Sequence, residues 1–166
     1  MAEQKKILII STGGTFNKVY NPLKGALLVD EESNALKEIA SKWLCDFKVM
    51  NIIGKDSLDM SSDDRLELLA MISRSEYDDI IVIHGTDTMS VTAEYLADAD
   101  VEKRVVLTGA MVPFSIDPVE ATANLASAYG FLQLQNTHGV YIAMNALADS
   151  YKKIEKNRKI GKFVIK

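Results

Sequence analysis

The sequence predicts a three-layer, doubly wound α/β fold with a mainly parallel sheet, of the Rossmann or flavodoxin-like type. Short runs of apolar, mostly branched residues alternate with helical patterns, and this alternation is typical of a parallel sheet covered on both faces. The helical segments also begin with recognisable capping residues. With 166 residues and no internal repeat or linker, the chain is predicted to form one domain, residues 1–166.

Five apolar runs are predicted to form the strands of the sheet. They lie at about residues 6–11, 47–53, 79–83, 103–107 and 140–144, and residues 163–165 are a candidate for a short final strand. Four helices are predicted between them. They cover residues 31–44, a segment that begins after Ser61, residues 88–99 and a long segment from Pro118 to about Gln135.

Periodicity and capping support these helices. The first has an apolar face made of Leu36, Ile39, Ala40, Trp43 and Leu44. Ser61, with Asp64 three residues later, is predicted to cap the second helix. Asp117 before Pro118 gives the fourth helix an N-cap and a proline at its first position.

Composition and charge exclude several classes of protein. The net charge of -4 provides no basic field for nucleic acid. Lone Cys45 has no partner for a disulfide or a metal site and is predicted to be a small buried apolar residue. The first apolar run is too short for a signal peptide, and no later stretch could span a membrane. We therefore expect a cytoplasmic protein that binds neither nucleic acid nor membrane and requires no metal, nucleotide or other cofactor.

Two hydroxyl-bearing loops directly follow predicted strands. Residues 11–16 (Ser-Thr-Gly-Gly-Thr-Phe) place Thr12 just past the first strand, and residues 84–89 (His-Gly-Thr-Asp-Thr-Met) place Thr86 beside Asp87. Ligands bind at the carboxyl ends of parallel strands, and an activated threonine hydroxyl can attack a carbonyl. The pattern favours an active site with a threonine nucleophile. The double glycine alone is equally consistent with a nucleotide-binding or merely tight turn, and Thr86 or Asp87 could simply cap the next helix.

Other polar residues give weaker local signals. Ser57 follows the second strand and could bind a carboxylate or an amide, although such a cluster more often forms a turn before a helix. His84 closes an apolar strand, where a histidine is usually a hydrogen-bonded structural residue. Lys156 lies in a lysine-rich stretch that is typical of a solvated face, and nothing local selects it over its neighbouring lysines.

Together, these segments resemble the bacterial asparaginase/glutaminase family, the group with a threonine nucleophile. Residues 12–16 are similar to its first signature, usually Thr-Gly-Gly-Thr-Ile, and residues 84–89 match its second signature. Residues 109–113 (Gly-Ala-Met-Val-Pro) are similar to its Gly-Ala-Met-Arg-Pro loop, and residues 124–125 fall where the family has Asn-Leu. The resemblance covers essentially the whole chain but only the larger N-terminal domain of the family, so the family's second domain is expected to be absent.

The resemblance implies catalytic roles for several residues. Thr12 would be the nucleophile that forms an acyl-enzyme, and Thr86, Asp87 and a lysine would form a polar relay around it. Counting from the Met-Asn pair at 144–145, the family lysine falls on Lys156.

It also implies contacts with the substrate. Asp87 and Ser57 would hold the amino and carboxylate groups, and the carbonyl of Ala110 would face the scissile amide. Tyr20 is the candidate for a mobile-loop tyrosine that assists the nucleophile. Leu58 stands where the family often has a glutamine that contacts the substrate.

The implied function is the release of ammonia from L-asparagine or a related small amide. In the family, the second domain of a neighbouring subunit closes the site, so we expect a homo-oligomer and weak activity in a chain without that domain. One alternative is a catalytically weak or inactive amino-acid-binding module of the same fold, which Leu58 and the missing domain favour. Another is a domain of an amidotransferase that acts on a charged tRNA, which the acidic balance disfavours.

Overall fold

A computed structural model describes residues 4–43 and 47–166 of the chain. Its main sheet has six strands: β1 (Ile7–Gly13), β4 (Lys48–Lys55), β5 (Asp79–Ile83), β6 (Arg104–Thr108), β7 (Gly139–Met144) and β8 (Leu147–Ser150). Two short antiparallel hairpins accompany the sheet: β2 (Lys18–Asn21) with β3 (Ala26–Val29), and β9 (Ile154–Asn157) with β10 (Lys162–Ile165).

The strand order confirms the predicted doubly wound fold. Across the sheet it reads β4-β1-β5-β6-β7-β8, and all neighbours pair in parallel except β7 with β8. The chain runs from β1 outward to β4 on one side and then returns to β5 on the other. The direction of winding therefore reverses between β1 and β5, and the carboxyl ends of the strands at such a reversal are where doubly wound proteins bind ligands.

Four helices within the described ranges cover the two faces of the sheet. They are α1 (Asn34–Trp43), α2 (Ser62–Arg74), α3 (Met89–Asp98) and α4 (Pro118–Leu134). Alternate residues of a strand point to opposite faces, so Ile7 and Ile9 pack with α1 and α4, whereas Leu8 and Ile10 pack with α2 and α3. The fold thus has the three layers that the alternating pattern predicts.

The predicted caps of α2 and α4 are confirmed. Ser61 and Asp64 form a reciprocal capping box at the start of α2, and the Asp117 side chain accepts a hydrogen bond from the backbone N–H of Val119 at the start of α4. Helix α1 begins at Asn34, later than predicted. The predictions for Leu44 and Cys45 lie outside the described residues.

Two parts of the fold differ from the prediction. Strand β1 continues to Gly13 rather than ending near Ser11, because it is paired on both sides: Ser11 lies opposite Ile83 of β5, and Gly13 lies opposite Lys55 of β4. The β2–β3 hairpin and strands β8 and β9 were not predicted. These strands have few fully buried residues, so they lack the long apolar runs that identified the others.

The loops after β1 and β5 touch through their glycines. Gly14 has a φ of +75°, and a Cβ atom added to it would lie 2.6 Å from the backbone nitrogen of Gly85. Neither the backbone conformation nor the available space suits a residue with a side chain. This approach brings Thr15 and Thr86, each one residue further along its loop, to the same part of the sheet edge.

We expect Gly14→Ala to destabilise the fold severely, by more than about 3 kcal/mol, because it combines a left-handed backbone with a steric clash. Gly25→Ala is the matched control, since Gly25 has a φ of +60° but nothing within 4 Å of an added Cβ. The free energy of unfolding of the control should fall by only about 1 kcal/mol. Urea unfolding of both variants measures the difference, and equal losses would contradict the close approach of the two loops.

His84 fixes the start of the β5–α3 loop from inside the core. Its Nδ1 lies 2.7 Å from the carbonyl oxygen of Gly85 and therefore carries the hydrogen, so Nε2 accepts from Thr92 Oγ1 at 2.8 Å. The Nε of Arg65 donates in turn to the same hydroxyl at 3.0 Å. Burial, reinforced by the nearby Arg65 charge, lowers the pKa of His84 to about 4. The ring is therefore a neutral structural group, in agreement with the interpretation of the sequence.

The lowered pKa of His84 predicts that the fold loses stability as the pH falls from about 7 to 4.5. The unfolded chain binds a proton at His84 below about pH 6.5, whereas the folded chain does not until about pH 4. Across the full interval this difference in proton binding lowers the free energy of unfolding by roughly 3 kcal/mol. Urea unfolding at several pH values should show a flatter pH dependence for His84→Gln than for the wild type. His138→Gln, at an exposed position, should keep the wild-type slope, and an unchanged slope in both variants would argue against a buried neutral His84.

Candidate functional site

A lysine joins the two polar side chains of the β5–α3 loop. The Nζ of Lys156 donates hydrogen bonds to Thr86 Oγ1 at 2.8 Å and to Asp87 Oδ1 at 2.9 Å. The Lys156 side chain is 14% exposed and that of Asp87 is 30% exposed, so the ion pair is partly shielded from water. The hydrogen bond from Lys156 is the main cause that holds the pKa of Asp87 below its usual value, and Arg158 adds to the effect. Asp87 is therefore a carboxylate at neutral pH.

Two asparagines tie the β9–β10 hairpin, which carries Lys156, to the sheet. Asn124 on α4 donates to the carbonyl of Gly109 at 2.9 Å and accepts from the backbone N–H of Asn145 at 2.9 Å. Asn145 then accepts from the backbone N–H of Phe163 at 2.8 Å. Phe163 lies directly opposite Lys156 in the hairpin. The position of the lysine is therefore set by a hydrogen-bonded path that begins on α4.

Ser57 lies against the same loop from the side of β4. It begins a short 3-10 turn, Ser57–Asp59, and is 1% exposed. Its hydroxyl accepts a hydrogen bond from the backbone N–H of Thr88 at 3.3 Å, and its carbonyl accepts one from Thr88 Oγ1 at 2.8 Å. A Cβ atom added to Gly85 would lie 2.6 Å from the Ser57 hydroxyl oxygen. Leu58, the next residue, is 68% exposed.

The loop after β6 closes a further side of this region. Ala110 is buried, and Met111 places its sulfur 3.3 Å from Thr86 Oγ1. The Glu120 carboxylate accepts hydrogen bonds from the backbone N–H groups of Met111 and Val112 at 2.9 to 3.0 Å. Glu120 therefore fixes the loop that carries the Ala110 carbonyl.

Thr12 does not lie past its strand, contrary to the prediction. It is within β1, it is 0% exposed, and its hydroxyl donates to the carbonyl of Ile83 at 2.8 Å. These observations argue against a role as an accessible nucleophile. Thr15 is the threonine of this segment that follows the strand. It begins the 3-10 turn Thr15–Asn17 and is partly exposed.

Tyr20 lies on the β2–β3 hairpin and is 64% exposed. Within residues 4–43 and 47–166, no hydrogen bond joins it to the other predicted site residues. A nearby ion pair connects the start of this hairpin with the Ser57 turn, because Lys18 Nζ lies 2.6 Å from Asp56 Oδ2. The Lys18 bond lowers the pKa of Asp56. The hairpin is thus anchored beside the site at its base, with the tyrosine further along.

Several residues near the site were not predicted from the sequence. Arg158 donates to Asp87 through both of its terminal nitrogens, and Glu120 fixes the loop after β6. Arg158 lies two residues beyond Lys156 but in the turn after β9, so strand periodicity does not place the two side chains on one face. Its closeness to Lys156 in the sequence is the signal that could have identified it. Thr15 could have been identified by extending β1 through Thr12, which would leave it as the first hydroxyl beyond the glycines.

A separate cavity of about 250 Å³ opens beside the ends of β1 and β4, lined in part by Ser11, Asp30, Glu31 and Asn51. It does not include Thr86, Asp87 or Lys156. We place the candidate site at the three residues because a lysine, a hydroxyl and a carboxylate meet there at the strand reversal.

Within residues 4–43 and 47–166, no group of three or more histidine, cysteine, aspartate or glutamate residues could hold a metal ion. No helix in these ranges is long and apolar enough to cross a membrane.

Comparison with curated proteins identifies relatives about twice as long as this chain. A protein described as "Probable L-asparaginase periplasmic" from Haemophilus influenzae is 33% identical over 158 residues, which are 87% of this chain and 44% of that protein. An L-asparaginase from Thermococcus kodakarensis is 29% identical over 144 residues, covering 83% of this chain and 43% of the relative. The chain therefore spans a little under half the length of these relatives.

Two solved structures of L-asparaginases share the fold of this chain. The thermostable L-asparaginase from Thermococcus kodakarensis superposes with a TM-score of 0.81 at 25% identity, covering 96% of this chain and 51% of that structure. A probable cytoplasmic L-asparaginase from Campylobacter jejuni has a TM-score of 0.79 at 25% identity, covering 98% of this chain and 53% of the other.

The match to a protein family extends over most of the chain and includes every element of the candidate site. The family model described as "Asparaginase, N-terminal" matches residues 6–159. The two signature loops that the resemblance rested on fall within these residues, as do Ser57 and Lys156. The chain therefore belongs to the asparaginase family, and residues 6–159 correspond to the N-terminal domain of that family.

Proposed function

We propose that this protein is an amidohydrolase that releases ammonia from L-asparagine or a related small amide through a threonine acyl-enzyme. The observation that carries the proposal is the contact of Lys156 with both Thr86 and Asp87 at the reversal of the strand order. Membership of the asparaginase family and relatives named L-asparaginase support the choice of reaction. The chain spans 44% and 43% of the length of two such relatives.

The proposed nucleophile is Thr15 rather than Thr12. Thr12 is fully buried and its hydroxyl is bonded to the Ile83 carbonyl, so an attack on a substrate would require it to leave the core. Thr15 is partly exposed and follows Gly14, which lies against Gly85. An attacking hydroxyl needs a neighbouring group that manages its proton. We assign this role to Thr86, which lies one residue beyond Gly85 and accepts a hydrogen bond from Lys156.

The other site residues then have separate tasks. Thr86 and Lys156 relay protons between the nucleophile and the departing ammonia. Asp87 binds the ammonium group of the substrate and Ser57 its carboxylate, while the Ala110 carbonyl faces the amide. In the first step the threonine oxygen bonds to the amide carbon, and the carbon–nitrogen bond breaks as the nitrogen gains a proton. In the second step water attacks the ester, which releases the acid and restores the threonine.

Tyr20 remains the candidate for a residue that assists the nucleophile, and its exposed position supports a role that depends on hairpin movement. A cytoplasmic location also remains a proposal, since the matching proteins include one named periplasmic and one named cytoplasmic.

Substitution of the two threonines of the first loop tests the assignment. We expect Thr15→Ala to lower ammonia release from L-asparagine by about a thousandfold or more, because it removes the attacking oxygen. Thr12→Val, which keeps the side-chain shape, should retain most activity and lose about 1 kcal/mol of stability with its hydrogen bond. Loss of activity in Thr12→Val with retention in Thr15→Ala would restore Thr12 as the nucleophile.

Substitution of Thr86 tests the relay. We expect Thr86→Ala to lower kcat by about a hundred- to ten-thousandfold, because the proton path from the nucleophile to Lys156 is interrupted. A coupled assay of ammonia from asparagine, glutamine and related small amides measures it. Wild-type protein that releases no ammonia above these variants, yet binds L-aspartate, would favour the amino-acid-binding module. The exposed Leu58 is the feature that supports that alternative, because it offers no polar contact to a substrate.

We also propose that the chain self-associates and that activity is weak unless a neighbour completes the site. Leu58 in the Ser57 turn, and Ile116 and Val119 in the segment from β6 to the first turn of α4, are exposed apolar side chains at 68%, 62% and 72% exposure. Contiguous apolar patches on a protein surface often mark an interface. Sedimentation velocity should show a species heavier than the 18.3-kDa single chain. A strict monomer at high concentration would contradict the proposal.

A further inference from the structure

Arg158 donates hydrogen bonds to Asp87, the residue that the proposed function assigns to the substrate's ammonium group. Its Nη1 donates to Asp87 Oδ1 at 2.9 Å, and its Nη2 donates to the backbone carbonyl oxygen of the same residue at 2.9 Å. One guanidinium group therefore spans the side chain and the main chain of Asp87. The fixed fork of an arginine suits such a two-point contact.

Asp87 consequently has two cationic partners on one oxygen. Lys156 and Arg158 both donate to Oδ1, and each lies 2.9 Å from it. Two positive charges against one carboxylate leave a local excess of positive charge. An incoming ammonium group would meet repulsion there, unless one of the two partners moved away.

The exposure of the two cations shows which of them can move. The Lys156 side chain is 14% exposed and also holds Thr86, whereas the Arg158 side chain is 65% exposed. Arg158 also lies beyond the last residue of β9. Displacement of an exposed side chain into water requires little rearrangement, so Arg158 is the partner that a ligand can replace.

We propose that Arg158 is a specificity-determining residue that competes with the ammonium group of a substrate for Asp87. The proposal rests on the proposed function, in which Asp87 receives that group. In this arrangement Arg158 weakens the binding of amides with a free α-ammonium group. Arg158 does not weaken the binding of amides that lack an ammonium group, and its positive charge favours the binding of their carboxylate.

The experiment compares two amides that differ only in that ammonium group: L-asparagine and succinamate, which has the same carbon chain without it. Arg158→Gln removes the competitor, and Arg74→Gln is the matched control, because Arg74 is exposed at the end of α2. KM and kcat are measured for both amides. Calorimetry then gives the Kd of L-aspartate and of succinate, which requires no turnover.

We expect Arg158→Gln to lower the KM of L-asparagine and the Kd of L-aspartate by about two- to fivefold, the range of exposed ion pairs. The KM of succinamate and the Kd of succinate should stay unchanged or rise, since the variant loses a positive charge. Arg74→Gln should leave all four constants unchanged. Arg158→Lys, which keeps the charge but loses the fork, should fall between the wild type and Arg158→Gln, and it serves as the test if Arg158→Gln does not fold.

An equal shift for both amides, or no shift for L-asparagine, would overturn the role of Arg158 while the hydrolase function stood. The failure of the proposed function has a different signature. In that case neither the wild type nor Arg158→Gln would bind L-aspartate or release ammonia from either amide, and the inference would fall with it.

Discussion

The candidate site depends on a backbone contact that leaves no room for side chains. Gly14 after β1 lies against Gly85 after β5, and Gly85 in turn lies against Ser57 after β4. Three loops from three adjacent strands therefore meet around one glycine. The polar residues of these loops lie in or directly after the contacts: Ser57 touches Gly85, Thr15 follows Gly14, and Thr86 follows Gly85. The close approach of the loops therefore sets the distances between the groups that would touch a ligand. The reversal of strand order between β1 and β5 brings the loops together, and the glycines let them touch.

Lys156, the fourth component of the site, comes from a different part of the chain. Its hairpin is held in place by hydrogen bonds rather than by close packing of loops. Asn124 links the loop after β6 to Asn145, and Asn145 links to the backbone of β10 beside Lys156. Each of these side chains bonds to main-chain atoms, whose positions are well defined by the sheet and the hairpin. A substitution at Asn124 or Asn145 would consequently act on the lysine from a distance.

The buried sheet and its helices could be predicted from the sequence, because apolar periodicity and capping residues report directly on burial and on helix ends. Asp79–Ile83 was predicted to the residue, and the capping box at Ser61 was identified in advance. The sequence predicts the end of β1 near Ser11, because the apolar run stops there and polar Ser11 and Thr12 follow. In the structure, pairing with strands on both sides buries these two hydroxyls inside the sheet. The hairpins had no comparable apolar signal, and the partnership of Arg158 with Asp87 depends on a register that sequence alone does not give.

The contacts of Lys156 and Arg158 also determine when the candidate site can form during synthesis. They join residues 69 to 71 positions apart, and they come from the last hairpin of the described chain. During synthesis the N-terminal part of a chain emerges first. The five parallel strands and the four helices of the described chain lie before this hairpin in the sequence, and the hairpin adds only Ile154 and Phe163 to the buried core. Most of the core can therefore assemble while the threonine loops still lack their cation. The proposed chemistry therefore requires that this hairpin has left the ribosome and paired.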